Sequence, residues 1–158
     1  MNKYLILSAA LCLSACGFHL KGTGGLDNAL PYRSWAVEGS QMRQPLENAL
    51  RRSGDVDLQA AKPEVTVRIT GYDQKKDTSA INIGGNTLEY LLTLRVEAQA
   101  YRKGETLGAP ILVQVHRHMD YADSEILGKR EEEAQIWRDM QQDAARQLVR
   151  RLAYLPKR

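Results

Sequence analysis

An α+β two-layer sandwich is the fold this sequence predicts: a four-stranded, mostly antiparallel sheet with two helices on one face, in the order β-α-β-β-β-α. Three observations predict it. Residues 64–72 and 87–101 alternate apolar and polar side chains at the period of a strand. The stretches after Gly39 and after Asp123 repeat apolar residues at three and four, the period of a helix. The long strand is apolar on one face and polar on the other, so its sheet needs a cover on one side only.

The elements follow in order. Arg33 to Glu38 is a short strand, with Trp35 and Val37 on one face. Gly39-Ser40 turns the chain, and Ser40 or Gln41 is placed to cap a helix running to about Arg52. Its apolar positions are Met42, Leu46, Ala49 and Leu50; Pro45 belongs in the first turn or sets the start, and Ser53-Gly54 stops it. In the strand from Glu64 to Tyr72, Val65, Val67 and Ile69 face one way, and Thr66, Arg68, Thr70 and Tyr72 the other. Asp73 to Asn86 is polar and contains glycine, which predicts a long hairpin tip with Gly84-Gly85-Asn86 as its turn.

Thr87 to Tyr101 is the longest strand. Leu88, Tyr90, Leu92, Leu94, Val96, Ala98 and Ala100 line its apolar face. Arg102-Lys103-Gly104-Glu105 turns the chain, and Pro110 admits a fourth strand from Ile111 to about Tyr121. The final helix is capped by Asp123 or Ser124. It carries Glu131, Glu132 and Glu133 early and Arg146, Arg150 and Arg151 late, in the order that suits the helix dipole. Its expected buried stripe is Ala134, Trp137, Gln141, Ala145, Leu148, Leu152 and Leu155; Gly128 is placed to split off a first turn, and Pro156 ends the helix.

The start of the chain reads differently. Met1-Asn2-Lys3 is a short basic start, Tyr4 to Leu13 an apolar run, and Ser14-Ala15 a pair of small residues before Cys16. This is the order of a secretory signal, and the run falls well short of the roughly 20 apolar residues of a spanning helix. Leu13-Ser14-Ala15-Cys16 resembles the bacterial lipobox, in which the cysteine takes an S-diacylglycerol, the leader is cut away and the new amine is N-acylated. Two or more chains make a stable anchor. The expected organisation is a lipoprotein signal peptide over 1–15, a lipidated N-terminus and tether over 16–30 with Gly22, Gly24 and Gly25, and one domain over 31–158. Gly17 after the cysteine, where an Asp commonly retains a lipoprotein at the inner membrane, favours the outer membrane.

Composition excludes several classes. Cys12 leaves with the signal and Cys16 is consumed by lipid, so the mature chain has no thiol for catalysis, metal binding or a disulfide. Loss of Lys3 lowers the net charge from +3 to +2, too mild to argue for nucleic acid. His116, His118 and Asp120 share a strand face, but a structural zinc site takes about four ligands, and the expectation is a polar sheet face with no metal or other cofactor. No nucleophile elbow, H-E-x-x-H or phosphate-cradling glycine loop is present. The runs Asp73-Gln74-Lys75-Lys76-Asp77 and Gly128-Lys129-Arg130 carry exposed positive charge that can meet phosphates on an anionic lipid head.

Cys16-Gly17-Phe18-His19-Leu20-Lys21-Gly22 resembles the mature start of the lipopolysaccharide (LPS)-assembly lipoprotein family LptE. So does Asn86-Thr87-Leu88-Glu89-Tyr90, and so do Leu127 to Glu133, Arg138-Asp139-Met140 and Asp143 to Leu148 of the last helix. The resemblance implies two helices on a four-stranded sheet and no enzymatic activity. It implies a subunit of the outer-membrane LPS translocon, lipid-anchored in the periplasmic leaflet, that plugs the LptD β-barrel, assists its assembly and contacts lipopolysaccharide. It attributes lipid contact to basic residues near the strand hairpin and before the last helix. Lys129 matches the second position. The hairpin tip, Ile81-Asn82-Ile83-Gly84-Gly85, has no basic residue just before the turn, and Lys75 and Lys76 lie on the rising arm instead. The alternative reading is a free, periplasm-facing lipid-binding lipoprotein, which would require a roomy apolar pocket between sheet and helices. A hydrolase would require a convergent polar cleft.

Overall fold

The computed structural model describes residues 30–120 and 126–157. Its elements are β1 (Trp35–Glu38), α1 (Ser40–Arg52), β2 (Val65–Ile81), β3 (Thr87–Arg102), β4 (Glu105–Thr106), β5 (Ile111–Asp120) and α2 (Ile126–Leu152). The expected two-layer α+β fold is what forms. β1 pairs in parallel with the start of β2, from Trp35↔Val65 to Glu38↔Arg68. β2 and β5 flank β3, both antiparallel to it.

The strand count differs by one. Arg102 to Glu105 is the expected turn, with Lys103 and Gly104 both at positive φ, but it closes a short hairpin. β4 pairs with Tyr101 and Arg102 on the edge of β3 that β5 occupies further along, so the sheet has five strands but is four wide. The loop between β4 and β5 folds over Gln99, whose buried amide donates to the carbonyls of Ala100 (3.0 Å) and Gly108 (3.2 Å).

Both helices lie on the apolar sheet face. Val65, Val67, Leu92, Leu94, Val96 and Val113 are buried there against Met42, Leu46 and Leu50 of α1 and Met140, Ala144 and Leu148 of α2. β1 and β5 run in the same direction, so the two helices that follow them return side by side and end together. The ends of the domain are tied to each other: Tyr32 donates its hydroxyl to the Pro156 carbonyl at 2.6 Å, and Trp35 donates its indole N–H to the Tyr32 carbonyl at 2.8 Å.

Several local expectations change. β1 begins at Trp35, two residues late, and Ser34 makes only a bridge to Asp57. The N-cap of α1 is Gly39 at φ 121°, with no side-chain cap, and Ser40 is already helical. Pro45 sits inside α1, past the first turn, where its missing N–H removes one rung of the ladder. Ser53 ends α1 as expected, its N–H and hydroxyl both donating to the Leu50 carbonyl. α2 runs through Gly128 without a break. Its buried stripe is Met140, Ala144, Ala145, Leu148, Val149 and Leu152, whereas Ala134 is exposed. The expected caps Asp123 and Ser124, like the leader and Cys16, lie outside the described residues.

The largest change concerns residues 73–86. β2 does not stop at Tyr72 but continues to Ile81, so only Asn82–Asn86 form the tip. A register shift between Ile69 and Gly71 leaves Thr70 as an extra, unpaired residue. One inserted residue exchanges the two faces of the residues beyond it, here as far as the next register shift after Thr78. Tyr72 therefore points toward the helices, where its hydroxyl accepts a 2.7 Å hydrogen bond from Gln141.

Candidate functional site

The hairpin of β2 and β3 is the feature that stands out from the packed body. Its pairing runs from Thr66↔Tyr101 to Ile81↔Thr87, while β1 covers only Val65 to Arg68 of β2. At a rise of roughly 3.3 Å per residue, the 17-residue β2 is about 55 Å long. The arm beyond Arg68 has β5 on one side and, among the described residues, an open β2 edge on the other. Its tip is closed by Asn82, whose N–H donates to the Asn86 carbonyl and whose side-chain oxygen accepts from the Asn86 N–H, both at 2.9 Å.

The bulge at Thr70 sorts the charged residues of the arm. Lys76 lies opposite Leu92 on the helix-covered face; its ammonium meets Glu133 of α2 at 2.6 Å and sits 4.2 Å from the centroid of the Tyr90 ring. Lys129, one turn earlier on α2, meets Glu132 at 2.8 Å and keeps only 17% of its side chain exposed. Lys76 and Lys129 thus converge on neighbouring glutamates where the arm meets the start of α2. Lys75 points the other way, into a row with Thr93 and His116 on the open sheet face. The three lysines singled out from the sequence form a pair and an outlier.

The open face is polar but organised. Thr93 Oγ1 and His116 Nδ1 lie 3.1 Å apart. Two rows further out, Glu89 of β3 accepts from the Ser79 hydroxyl of β2 and lies, diagonally across the sheet, 2.7 Å from His118 Nδ1 of β5, bridging all three strands of the arm. The Ser79 hydroxyl and then His118 hold the Glu89 carboxyl below the usual carboxylate range. At the other end of the sheet, the backbone N–H groups of Arg33 and then Ser34 lower Glu64 in the same way and pin the start of β1 to β2. No three His, Cys, Asp or Glu residues cluster at metal-binding range among the described residues. His118 is engaged by Glu89 rather than aimed with His116 at a common point.

Reading for charge missed the tip. Ile81, Ile83 and Leu88 are exposed, Ile83 fully so. The signal lay in the sequence: residues 78–88, between Asp77 and Glu89, are eleven positions without a charge. No helix among the described residues is long and apolar enough to cross a membrane.

Residues 30–152 match the family model LptE, described as lipopolysaccharide-assembly. The chain is 32% identical over 155 residues to the LPS-assembly lipoprotein LptE of Pectobacterium atrosepticum, covering 94% of this chain and 83% of that protein. It is 33% identical to the protein of the same name from Yersinia enterocolitica, covering 94% of this chain and 73% of the relative. Among solved structures, an uncharacterised lipoprotein B from Nitrosomonas europaea superposes with a TM-score of 0.70 at 23% identity, covering 87% of this chain and 90% of that one. A minor lipoprotein from Acinetobacter baumannii superposes with a TM-score of 0.67 at 22% identity, covering 80% and 96%. These two likenesses are of fold.

Proposed function

The chain belongs to the LptE family of lipopolysaccharide-assembly lipoproteins, and on that premise we propose that it is a non-catalytic subunit of the outer-membrane LPS translocon. It is anchored by acyl chains on Cys16 in the periplasmic leaflet, plugs and helps assemble an LptD-type β-barrel, and contacts lipopolysaccharide. The carrying observation is that the family match spans the whole described fold, from the residue before Pro31 to the end of α2. The packing supports a plug over a carrier. The space between sheet and helices is filled by large apolar side chains such as Trp35, Met42, Leu92 and Met140, each fully buried. A free lipid carrier would require that space to be empty.

The test is co-purification. Tagged full-length protein extracted from outer membranes should bring a β-barrel of LptD type with it, and depletion of the protein should reduce mature barrel. Recovery of the protein alone, with barrel assembly unchanged in its absence, would sink the reading.

The lysines are tested separately. Lys76→Glu with Lys129→Glu should weaken lipopolysaccharide binding and leave the barrel bound, since both ammonium groups sit at one junction. Lys75→Glu, on the opposite face, should have the smaller effect. Equal losses from the two changes would deny that the junction is the lipid contact.

A further inference from the structure

We propose that the outer seam between α1 and α2 is a second anion site, which takes phosphate groups carried on a saccharide. The identity of the glycan rests on the reading above, whereas the anion chemistry rests on the seam itself. The two helices run side by side in the same direction, so their last turns meet. There a groove of about 340 Å³ has Ala49 and Val149 as its floor and Arg52, Arg146 and Arg150 around its rim, with Ser53 at the end.

Among the described residues no carboxylate lines this groove. Among the described residues Arg52 and Arg150 form no ion pair. Arg146 reaches only Asp143, at 3.4 Å, and Asp143 is already held by Arg117 at 3.1 Å. Two helix C-termini contribute roughly −0.5 charge each. Three guanidinium groups therefore exceed what the helix ends neutralise, and a net positive pocket is left. Guanidinium is the side chain suited to phosphate, through paired N–H donors in a fixed plane.

Arg52 also borders a second groove, of about 390 Å³, further up the seam. Its walls are carboxamides, including Gln41, Gln44, Asn48 and Gln142, with Arg138 and again no carboxylate. A carboxamide presents a donor and an acceptor side by side, which is the complement of neighbouring hydroxyls on a sugar ring. A protein partner fits the seam less well. Stable protein interfaces centre on large apolar or aromatic anchors, and among the described residues the exposed large apolar side chains are Ile81, Ile83, Leu88, Leu112 and Tyr154, none of which lines either groove. The arginine groove is also remote from the lysine junction. Lys129 and Arg150 are separated by 21 residues of one helix, about 30 Å at 1.5 Å per residue.

The experiment uses the full chain in detergent and lipopolysaccharide from which the acyl chains have been removed, so that only the phosphorylated glycan is offered. Titration by NMR should shift the amides of Ala49, Ser53 and Val149. Arg52→Glu with Arg150→Glu should weaken glycan affinity tenfold or more. Arg52→Gln with Arg150→Gln, at exposed positions where folding is unaffected, should weaken it by less. Phosphatase treatment of the glycan should produce the same loss, and inorganic phosphate alone should bind at least tenfold more weakly than the glycan. Absent shifts at the seam, undiminished binding by the reversal variant or by the dephosphorylated glycan, or phosphate binding as tightly as the glycan would each overturn the proposal. So would a reversal variant that keeps the glycan but loses the barrel, which would assign the seam to protein. Barrel co-purification of the unaltered chain is scored in parallel and tests the translocon reading independently.

Discussion

Lys75 and Lys76 are neighbours in sequence and lie on opposite faces of the sheet, and what each can touch follows from that. Lys76 rests on an aromatic ring and a glutamate, partly sheltered, whereas Lys75 projects into solvent. The Lys76–Glu133 pair is still about a third exposed on each side, at 32% and 26%. Exposed pairs are worth little, so a double-mutant cycle with Lys76→Met and Glu133→Gln should give a coupling below about 1 kcal/mol. Gly39 is under a harder constraint. It holds φ 121°, and a Cβ added there would lie 2.7 Å from the Ile69 Cβ. Gly39→Ala should therefore destabilise the fold by about 1–3 kcal/mol in urea unfolding. Glu89 predicts a pH dependence. Its pKa is depressed by Ser79 and His118, so its contribution is complete above the ordinary carboxylate value, about 4.3, and is lost as pH falls from there through the lowered value. Glu89→Gln should be less stable than the parent at neutral pH, with the gap closing in acid. A constant gap across the acid range would deny the clamp.

At the scale of elements, α2 divides into two halves. From Met140 to Leu152 it packs on the sheet and α1; from Gly128 to Asp139 it is mostly exposed and meets the arm through Glu133, Ile136 and Trp137. The Trp137 indole N–H donates to Glu133 at 3.3 Å, so the carboxylate that holds Lys76 is itself oriented from within the helix. Leu148→Ala, in the packed half, should cost about 2–5 kcal/mol by leaving a cavity. Trp137→Ala, in the half-buried region, should leave a smaller loss in global unfolding and a larger increase in amide exchange on the arm. Equal global losses from the two would mean that the arm and body unfold as one unit. The arm itself owes its length to pairing with β3. Asp73 to Asp77 has poor strand composition, and the nine residues from Asp73 to Ile81 form strand because β3 offers an apolar, strongly alternating template opposite them.

At the scale of the molecule, one face of the sheet is closed by helices and the other is left polar and open. The arm then extends the sheet beyond its cover. The dense core and long appendage support the proposed plug over a carrier that encloses a small ligand. The proposed lipid anchor makes a prediction at this scale: Cys16→Ser should abolish metabolic labelling with palmitate and release the chain from the membrane fraction. Labelling that persists in the variant would place the acyl chains elsewhere.

Residue periodicity alone determined the layers of this protein. A strand with period two and helices with period 3.6 each carry one apolar face, and burying those faces leaves few arrangements, so element order, sheet cover and most core residues were legible. The family was legible too, in local patterns of the sequence. Tertiary structure decided the rest. Local propensity reads Asp73 to Ile81 as loop, but pairing with a distant strand overrides it. The bulge at Thr70 has no compositional mark, yet it reverses parity and so sets which lysine meets the helices. Periodicity places the stripe of α2 through Ala134 rather than Met140 and Ala144, because two stripes one residue apart have nearly the same period and only the partner surface selects between them. The arginines of the seam come from two helices nearly a hundred residues apart, and no local pattern records that they meet.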